Sequence, residues 1–423
     1  MKRIITTIAL GVATAMAAPA QTAYTLNECI SQALANNTKL RNAQNSIQMA
    51  EQQRKEAFTN YFPTVQAAGG GFTANKGLVE LDLMGMSLSF VKNGLTASVT
   101  AMQPVFAGGQ IVNGNRLAKV GEDVSRLQYG LTENEVRLTT ETYFWQIVML
   151  KEKLRTLDRA DAQVENAHKD AQAAVEAGLR NRNDLLQVEL KQNELRASRI
   201  KVDNALGLVR QLLAQQMGTQ EGSVDVAFTV GDALPESPES LYAEPEQSLL
   251  ATKEYQLLGK QVEAERLNYK MTVGKQLPTV AVGGGYFYND LMDKSSNRWM
   301  GMLTVSVPLS KWWGGTHAMK RQKLQLQNAE NTRKDQGEML IIRMRSAWND
   351  MTDAYKQVAI AQESIHQSEE NLRLNTDYYQ AGTAAISDLL DAQTLYQQAR
   401  DSFVEAYMQY EVKRTEYLQA TGR

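Results

Sequence analysis

The sequence has little cysteine, proline, aromatic residue or net charge, and it lacks long apolar runs after its first residues. Cys29 is the only cysteine among 423 residues, so no disulfide can form within the chain and the fold is not a small disulfide-stapled domain. The formal net charge of −2 offers no basic surface for a nucleic acid. After residue 20, no apolar run is long enough to cross a bilayer as a helix, so any membrane insertion must use strands.

The first twenty residues have the pattern of a secretory signal peptide. Lys2 and Arg3 form a basic start, Ile4–Ala17 is an apolar stretch, and Ala-Pro-Ala at 18–20 is a small-x-small cleavage site. The apolar stretch is shorter than the roughly 18–20 residues that a membrane-anchoring helix needs. We therefore expect residues 1–20 to be removed, so that the mature, exported chain begins at Gln21.

The scarcity of proline leaves two segments that can each form one very long helix. Gln110–Ala177 and Thr316–Ala381 contain no proline and only isolated glycines, and each would be a rod of about 100 Å. Apolar residues recur at heptad spacing along the first segment and again after a short break, which predicts an antiparallel coiled-coil hairpin. These apolar heptad positions are Leu150, Leu154, Leu157, Val164, Ala171, Val175, Leu185, Val188, Leu195, Val202, Leu206, Val209 and Leu213.

Prolines also bracket four short segments that alternate apolar and small polar residues, as β-strands do. The segments are Thr64–Ala74, Gly94–Met102, Thr279–Asn289 and Met300–Val307. Their length of about ten residues suits tilted strands of a membrane barrel, although each segment alone also suits an ordinary sandwich. Nearby aromatic residues suit either an interfacial girdle or a plain core. They are Tyr61, Phe62, Tyr286, Phe287, Tyr288, Trp299, Trp312 and Trp313.

The chain is an internal repeat, and this repeat predicts its architecture. Tyr61–Phe72 aligns with Gln276–Phe287, and both stretches contain PTV followed by GGG. Beyond a hairpin loop that is shorter in the second copy, the aligned pairs are Pro104 and Pro308, Gly178 and Gly382, Asp184 and Asp388, and Gly218 and Gly422. We predict two copies of helix–strand–strand–long helix–helix, at 21–218 and 240–423, joined by a linker at 219–239 that adds a small strand.

Four strands cannot close a barrel, and open strand edges are intolerable in lipid. At least eight strands are needed, so we expect subunits to pool their strands. Three subunits would supply twelve strands, and strand counting alone also permits a dimer. The predicted fold class is therefore mainly α, with a membrane β-barrel and a hollow cylinder of helical hairpins.

Several motifs occur in a fixed order along the mature chain. They are TLNECISQALANNTKLRNAQ at the start, PTV…GGG in two strands, QPVFAGGQ and VPLSKWWGG at the strand-to-helix elbows, and AG…DLL at two helix breaks. With these motifs the whole mature chain resembles the TolC family of outer-membrane efflux proteins. The resemblance implies a homotrimer in the outer membrane of a Gram-negative type of bacterium, with a twelve-stranded β-barrel and a periplasmic α-helical barrel.

The resemblance also implies the function. The chain would be the exit duct of a tripartite efflux or type I secretion system, and would conduct substrates passively across the periplasm and the outer membrane. Its partners would be outer-membrane lipid, a periplasmic adaptor (membrane fusion) protein and an inner-membrane RND or ABC pump. No cofactor, metal or nucleic acid is implied, and the sequence does not identify the transported substrate.

The repeated AG…DLL stretches lie where each long helix is expected to turn back. Gly178 and Gly382 are the predicted left-handed hinges of these turns. The resemblance implies a periplasmic gate formed by Asp184, Tyr379, Asp388 and Asp391. In the family a basic residue two positions after the second glycine pairs across helices. That position is Ala384 here, so Arg180 or Arg182 of the first copy is the candidate replacement.

The acids of the turns also have a purely structural explanation. Asn183 and Ser387 are candidate N-caps, with Asp184 and Asp388 in the first helical turn, where the helix dipole favours a negative charge. This explanation does not cover Asp391, one turn later on the same face. In a trimer, Asp388 and Asp391 would each form an anionic ring that attracts cations. This functional explanation is compatible with the structural one.

Enzyme chemistry has no support in the sequence. His168, His317 and His366 are isolated in long helices without metal-ligand spacing. The two GGG stretches lead into strand residues and not into a helix with a phosphate-binding lysine, so they are not nucleotide loops. We predict that the chain is not an enzyme. The alternative function is a periplasmic coiled-coil adaptor or structural scaffold, which would also carry a signal peptide and helical hairpins.

Overall fold

The computed structural model describes residues 23–76, 79–83, 86–219, 224–231, 233–291, 294–309 and 311–423, and the predicted signal peptide lies outside them. Up to the linker the elements are β1 (Ala23–Tyr24), α1 (Leu26–Asn36), α2 (Thr38–Thr59), β2 (Thr64–Thr73), β3 (Val79–Leu83), β4 (Met86–Phe90), β5 (Asn93–Ala107), α3 (Gln110–Glu176), α4 (Arg182–Met217) and β6 (Asp225–Val226). Then follow two 3₁₀ turns (Pro238–Leu241 and Leu249–Ala251), α5 (Pro245–Ser248), α6 (Lys253–Gly274), β7 (Thr279–Leu291), β8 (Lys294–Ser306), α7 (Lys311–Gln380) and α8 (Ile386–Ala420).

The order helix–strand–strand–long helix–helix occurs twice, as α2–β2–β5–α3–α4 and as α6–β7–β8–α7–α8. This confirms the predicted two-repeat, mainly helical fold. The copies differ in one feature that was not predicted, because the first copy carries an extra antiparallel hairpin, β3–β4. The hairpin lies in the loop that the alignment of the repeats made longer in the first copy.

The chain divides by its internal contacts into two compact units, which are described separately. One unit comprises the described part of Met1–Thr38 with Glu135–Tyr242 and Trp348–Tyr417, and is called the helical unit. The other comprises Lys39–Asn134, Ala243–Ala347 and Leu418–Arg423, and is called the sheet unit.

In the helical unit, α3, α4, α7 and α8 pack around one apolar core. Its buried members are Leu157, Ala160, Val164, Ala167, Ala171, Val188, Leu195, Leu372, Tyr379, Ile386, Leu389, Leu390 and Ala392. Many heptad positions of α3 and α4 belong to this core, which confirms the predicted pairing of the two helices. Gln192, a polar residue at the heptad position between Val188 and Leu195, is also buried. Its side-chain amide donates to the Glu165 carboxylate at 2.9 Å.

The linker adds one short strand to the helical unit. β6 pairs in parallel with β1, which confirms the small strand predicted in the linker. The Asp225 carboxylate of β6 is bound by Lys151 at 3.1 Å and by Arg210 at 2.9 Å. The linker is therefore attached to α3 and α4 by ion pairs and to β1 by backbone hydrogen bonds.

In the sheet unit, four strands form one antiparallel sheet in the order β2–β5–β7–β8. Strands β2 and β8 are its two edges, and no described strand pairs with their outer sides. β5 continues past its predicted end at Met102 to Ala107, because a bulge between Pro104 and Phe106 accommodates the proline. None of the described helices carries a stretch with the length and apolarity needed to cross a bilayer.

The registers of the strands divide their side chains between an apolar and a more polar face. The apolar face carries Val65, Leu95, Val99, Tyr286, Trp299, Leu303 and Val305. The opposite face is mixed and carries Gln66, Thr96, Ser98, Thr100, Asn289 and Thr304 together with Phe72, Met102, Phe287, Met300 and Met302. The apolar face is uncovered, since Trp299 is 84% and Leu303 is 68% exposed.

A close backbone contact fixes the elbow between β5 and α3. Gly108 has a φ of +59°, and a Cβ at this position would lie 2.2 Å from the carbonyl oxygen of Gly274, at the end of α6. Both the left-handed backbone and the clash oppose any larger residue at position 108.

We expect Gly108→Ala to lower the free energy of unfolding by at least about 2 kcal/mol, because backbone strain and steric clash add. Gly114→Ala, in the first turns of α3, is the matched control, since a Cβ there meets nothing within 4 Å. The control should be neutral or slightly stabilising, because alanine favours the helix. Thermal unfolding of both purified variants measures the difference, and equal unfolding temperatures would contradict the prediction.

Candidate functional site at the helix turns

Each long helix ends at a left-handed glycine. α3 is followed by Gly178 with a φ of +71°, and α7 by Gly382 with a φ of +74°. The amide of the next residue donates back to the last turn in both copies, Leu179 to Ala174 at 2.8 Å and Thr383 to Tyr378 at 2.9 Å. These hydrogen bonds are those of a Schellman motif, which reverses the chain direction after a helix.

The second helix of each hairpin begins a few residues after the glycine. α4 begins at Arg182 and α8 at Ile386, so Asp184 and Asp388 both occupy the third helical position. The N-cap of α4 is Asn181, and its side chain makes no capping hydrogen bond. The expectation that Asn183 and Ser387 are the N-caps is therefore wrong, because both lie inside the first turn.

The two equivalent acids have different partners. The carboxylate of Asp388 accepts the backbone amide of Ala385 at 3.2 Å, as the third residue of a capping box does. The carboxylate of Asp184 lies 3.9 Å from the guanidinium of Arg180. Asp184 of the first copy therefore orients Arg180, whereas Asp388 of the second copy caps the start of α8.

Arg180 connects the two turns within one chain. Both of its terminal nitrogens donate to the backbone carbonyl of Ala384, each at 3.4 Å. Its guanidinium carbon also lies 4.9 Å from the centre of the Tyr379 ring, a cation–π distance. Of the two candidate arginines, Arg180 reaches the other turn. Arg182 is exposed and makes no hydrogen bond or ion pair within the described part of the chain.

Arg180 and Ala384 are equivalent positions of the two repeats. The cation of the first copy thus binds the backbone of the second copy at the position where the family pattern places a basic side chain. The sequence did not indicate this acceptor, because a backbone carbonyl is present in every residue whatever its side chain.

Tyr379 provides the surface on which Arg180 lies. The residue is 8% exposed and belongs to the apolar core of the helical unit. Burial raises the pKa of its hydroxyl, Arg180 lowers it, and the carboxylates of Asp184 and Asp170 raise it further. Tyr379 therefore stays neutral near pH 7, and its ring acts as a support for the guanidinium. Asp170 is a neighbour that the sequence did not indicate.

Asp388 and Asp391 are both exposed on α8 and make no ion pair within the described ranges. Two unpaired acids, one helical turn apart, leave a concentrated negative charge beside the Arg180 contacts. No group of three or more His, Cys, Asp or Glu side chains in the described residues is arranged to hold a metal ion.

A third acid of α8, Asp401, lies away from the turns and is partly buried. Desolvation raises the pKa of Asp401 to about 6, while Lys153 opposes this shift and Glu405 adds to it. The Oδ1 atom of Asp401 has no hydrogen-bond partner among the described residues. The folded chain therefore favours the protonated acid more than the unfolded chain does.

We expect Asp401→Asn to raise the free energy of unfolding at pH 7.5 by about 2 kcal/mol. Protonated Asp401 costs the folded chain no free energy of unfolding below pH 3.8, the ordinary pKa of the carboxyl. As the pH rises through about 6, the acid ionises in the folded chain and the free energy of unfolding falls. The gain should therefore vanish at pH 3.5. Denaturant unfolding at both pH values measures it, with the exposed Asp203→Asn as control. An equal gain at both pH values would contradict the prediction.

Comparison with known proteins gives one family and one fold. The chain matches the family model described as outer membrane efflux protein over residues 29–219 and 255–423. No curated protein matches the sequence.

Three solved structures illustrate the fold. CusC, whose report describes transmembrane channel formation, has a TM-score of 0.82 and 15% identity, over 95% of this chain and 92% of CusC. The Campylobacter jejuni CmeC outer membrane channel has a TM-score of 0.81 and 16% identity, over 94% of this chain and 85% of CmeC. The open Neisseria gonorrhoeae MtrE outer membrane channel has a TM-score of 0.77 and 15% identity, over 94% of this chain and 88% of MtrE. At these identities the likeness establishes the fold.

Proposed function

Because the chain belongs to the outer membrane efflux protein family, we propose that it is the exit duct of a tripartite efflux or type I secretion system. Three copies would pool their sheets into a twelve-stranded barrel in the outer membrane, and their helices would form a barrel in the periplasm. An inner-membrane RND or ABC pump would deliver substrates through a periplasmic adaptor. The duct itself would conduct passively, with the energy supplied by the pump.

The observation that carries this proposal is the four-stranded sheet of the sheet unit. It has an uncovered apolar face and two edges without described partners. In water such a sheet would aggregate through its edges and its apolar face. In a closed barrel the edges pair with those of neighbouring copies and the apolar face contacts lipid, which satisfies both requirements.

The helix turns supply the gate in this proposal. Arg180, oriented by Asp184, would hold the two turns of each chain together through Ala384 and Tyr379, and so keep the periplasmic entrance narrow. Asp388 and Asp391 would repeat three times around the axis and attract cations to that entrance. Gly178 and Gly382 would act as the hinges about which the turns move.

No observation favours the alternative of a periplasmic adaptor. An adaptor would need a soluble β-domain between the halves of its hairpin. Here the four strands β2, β5, β7 and β8 form one sheet with an uncovered apolar face, and the family model spans both repeats.

Membrane fractionation of cells that express the full chain tests the proposal, together with native mass measurement of the detergent-solubilised protein. We expect the protein in the outer-membrane fraction, as a complex of three chains that forms ion-conducting steps in planar bilayers. A soluble periplasmic monomer without conductance would refute the duct.

A further inference from the structure

Cations line a groove of about 650 Å³ in the sheet unit, between α3, α6 and α7. They are Arg116, Lys119, Lys260, Arg266, Lys270 and Arg333, and only two acids, Asp123 and Glu263, lie among them. The groove is therefore strongly positive, although the whole chain has a net charge of −2.

Half of these cations already have partners. Lys260 forms ion pairs with Asp123 at 2.8 Å and with Glu263 at 3.0 Å, and these are both of the acids that line the groove. Arg266 lies 3.4 Å from Glu330, and Arg333 donates to the Tyr255 hydroxyl at 3.1 Å.

The other three cations, Arg116, Lys119 and Lys270, have no acidic partner among the residues that the structure describes. Three uncompensated charges facing one groove repel each other, which costs stability unless an anion binds there. The groove is thus a candidate anion site.

A second groove, of about 420 Å³, continues the first and shares Arg116 and Lys119 with it. It adds Lys55 and the aromatic side chains of Phe58 and Tyr61. The Phe58 ring lies 5.4 Å from Tyr61 and 5.6 Å from Phe62, and all three are at least 40% exposed. Exposed aromatic rings beside cations are typical of protein surfaces at the headgroup level of a membrane.

The grooves lie next to the ends of the sheet strands. Arg116 and Lys119 are in the first three turns of α3, and Lys270 is in the last two turns of α6. At the helical rise, Arg116 and Lys270 are about 14 Å from the strand ends and Lys119 is about 18 Å from them. The polar layer of a leaflet is roughly 5–8 Å thick, and long cationic side chains extend their charge toward it.

We propose that the two grooves together bind the phosphate of an anionic phospholipid in the leaflet that faces the periplasm. The shared Arg116 and Lys119 would bind the phosphate, Lys270 and Lys55 would flank it, and the aromatic rings would contact the glycerol and upper acyl chains. The inference rests on the proposed function, because it requires the strands to cross the membrane. A freely soluble anion would explain the charges and would leave the exposed aromatic rings without a role.

The test uses the full chain in detergent and native mass spectrometry with dioctanoyl phosphatidylglycerol or dioctanoyl phosphatidylcholine. We expect the wild type to bind the anionic lipid at least about tenfold more tightly. The triple variant Arg116→Gln, Lys119→Gln, Lys270→Gln should lose this preference. The variant Arg159→Gln, Arg196→Gln, Lys201→Gln removes the same charge from exposed positions of the helical unit and should keep it.

Three results would overturn the inference. They are equal binding of both lipids by the wild type, an equal loss in the control variant, and displacement of the anionic lipid by inorganic phosphate at matched concentration. The wild-type comparison stands even where the triple variant fails to fold. Mass and conductance of the same wild-type preparation separate the two proposals: a conducting trimer without lipid preference refutes only the lipid site.

Discussion

Replacing Arg180 by alanine is expected to raise the fraction of open channels at least about tenfold. The substitution removes two hydrogen bonds to Ala384, the cation–π contact with Tyr379 and the ion pair with Asp184. Together these contacts are worth about 2 kcal/mol in each chain, and every 1.4 kcal/mol is a factor of ten in an equilibrium. If they hold the turns closed, their loss shifts the equilibrium toward the open entrance.

The mean current per inserted channel in planar bilayers measures this effect. Arg182→Ala is the matched control, because it removes the same charge two residues away. The Arg182 side chain makes no hydrogen bond or ion pair within the described structure. Only the Arg180 variant should pass more current at a fixed voltage. Equal currents in the two variants would show that Arg180 does not restrain the entrance.

Neutralising both exposed acids of α8 should remove most of the cation preference of the channel. In a trimer, Asp388→Asn with Asp391→Asn deletes six negative charges near the entrance, where the proposed rings are closest to the permeating ion. We expect the ratio of K⁺ to Cl⁻ permeability to fall at least about threefold at low salt, where screening is weakest. Asparagine still accepts the Ala385 amide at position 388, so the helix start should be retained.

Reversal potentials across a salt gradient measure this ratio. Asp350→Asn with Asp353→Asn is the control, since it removes two exposed acids of the same spacing from α7. The control should keep the wild-type ratio. An unchanged ratio in the Asp388 and Asp391 variant would mean that these acids serve only the start of the helix, as the capping hydrogen bond of Asp388 already does.

The repeat architecture could be read from the sequence because its signals are local. Absence of proline permits α3 and α7 to continue, and the alternation of apolar and small polar residues marks the strands. Local signals also caused the errors in strand length. Pro104 suggested the end of β5, yet a bulge carries the strand past it to Ala107.

The contacts of the candidate site depend on tertiary packing, and the sequence could not specify them. Arg180 binds the backbone carbonyl of Ala384, and since every residue type has such a carbonyl, no side chain in the sequence indicates this contact. The N-cap of α4 lies two residues before the predicted Asn183, because the turn after Gly178 is short. The extra hairpin β3–β4 had no counterpart in the second copy to reveal it.

The central claim is that neighbouring subunits pair β2 with β8 to close one barrel. Disulfide cross-linking tests this most directly, in a Cys29→Ala chain that carries Ala67→Cys in β2 and one cysteine in β8, at position 301, 303 or 305. These positions share the apolar face of the sheet. Oxidation in outer membranes should give covalent complexes of two and three chains for at least one pair, and none for Ala67→Cys alone. Single chains for every pair would contradict the shared barrel.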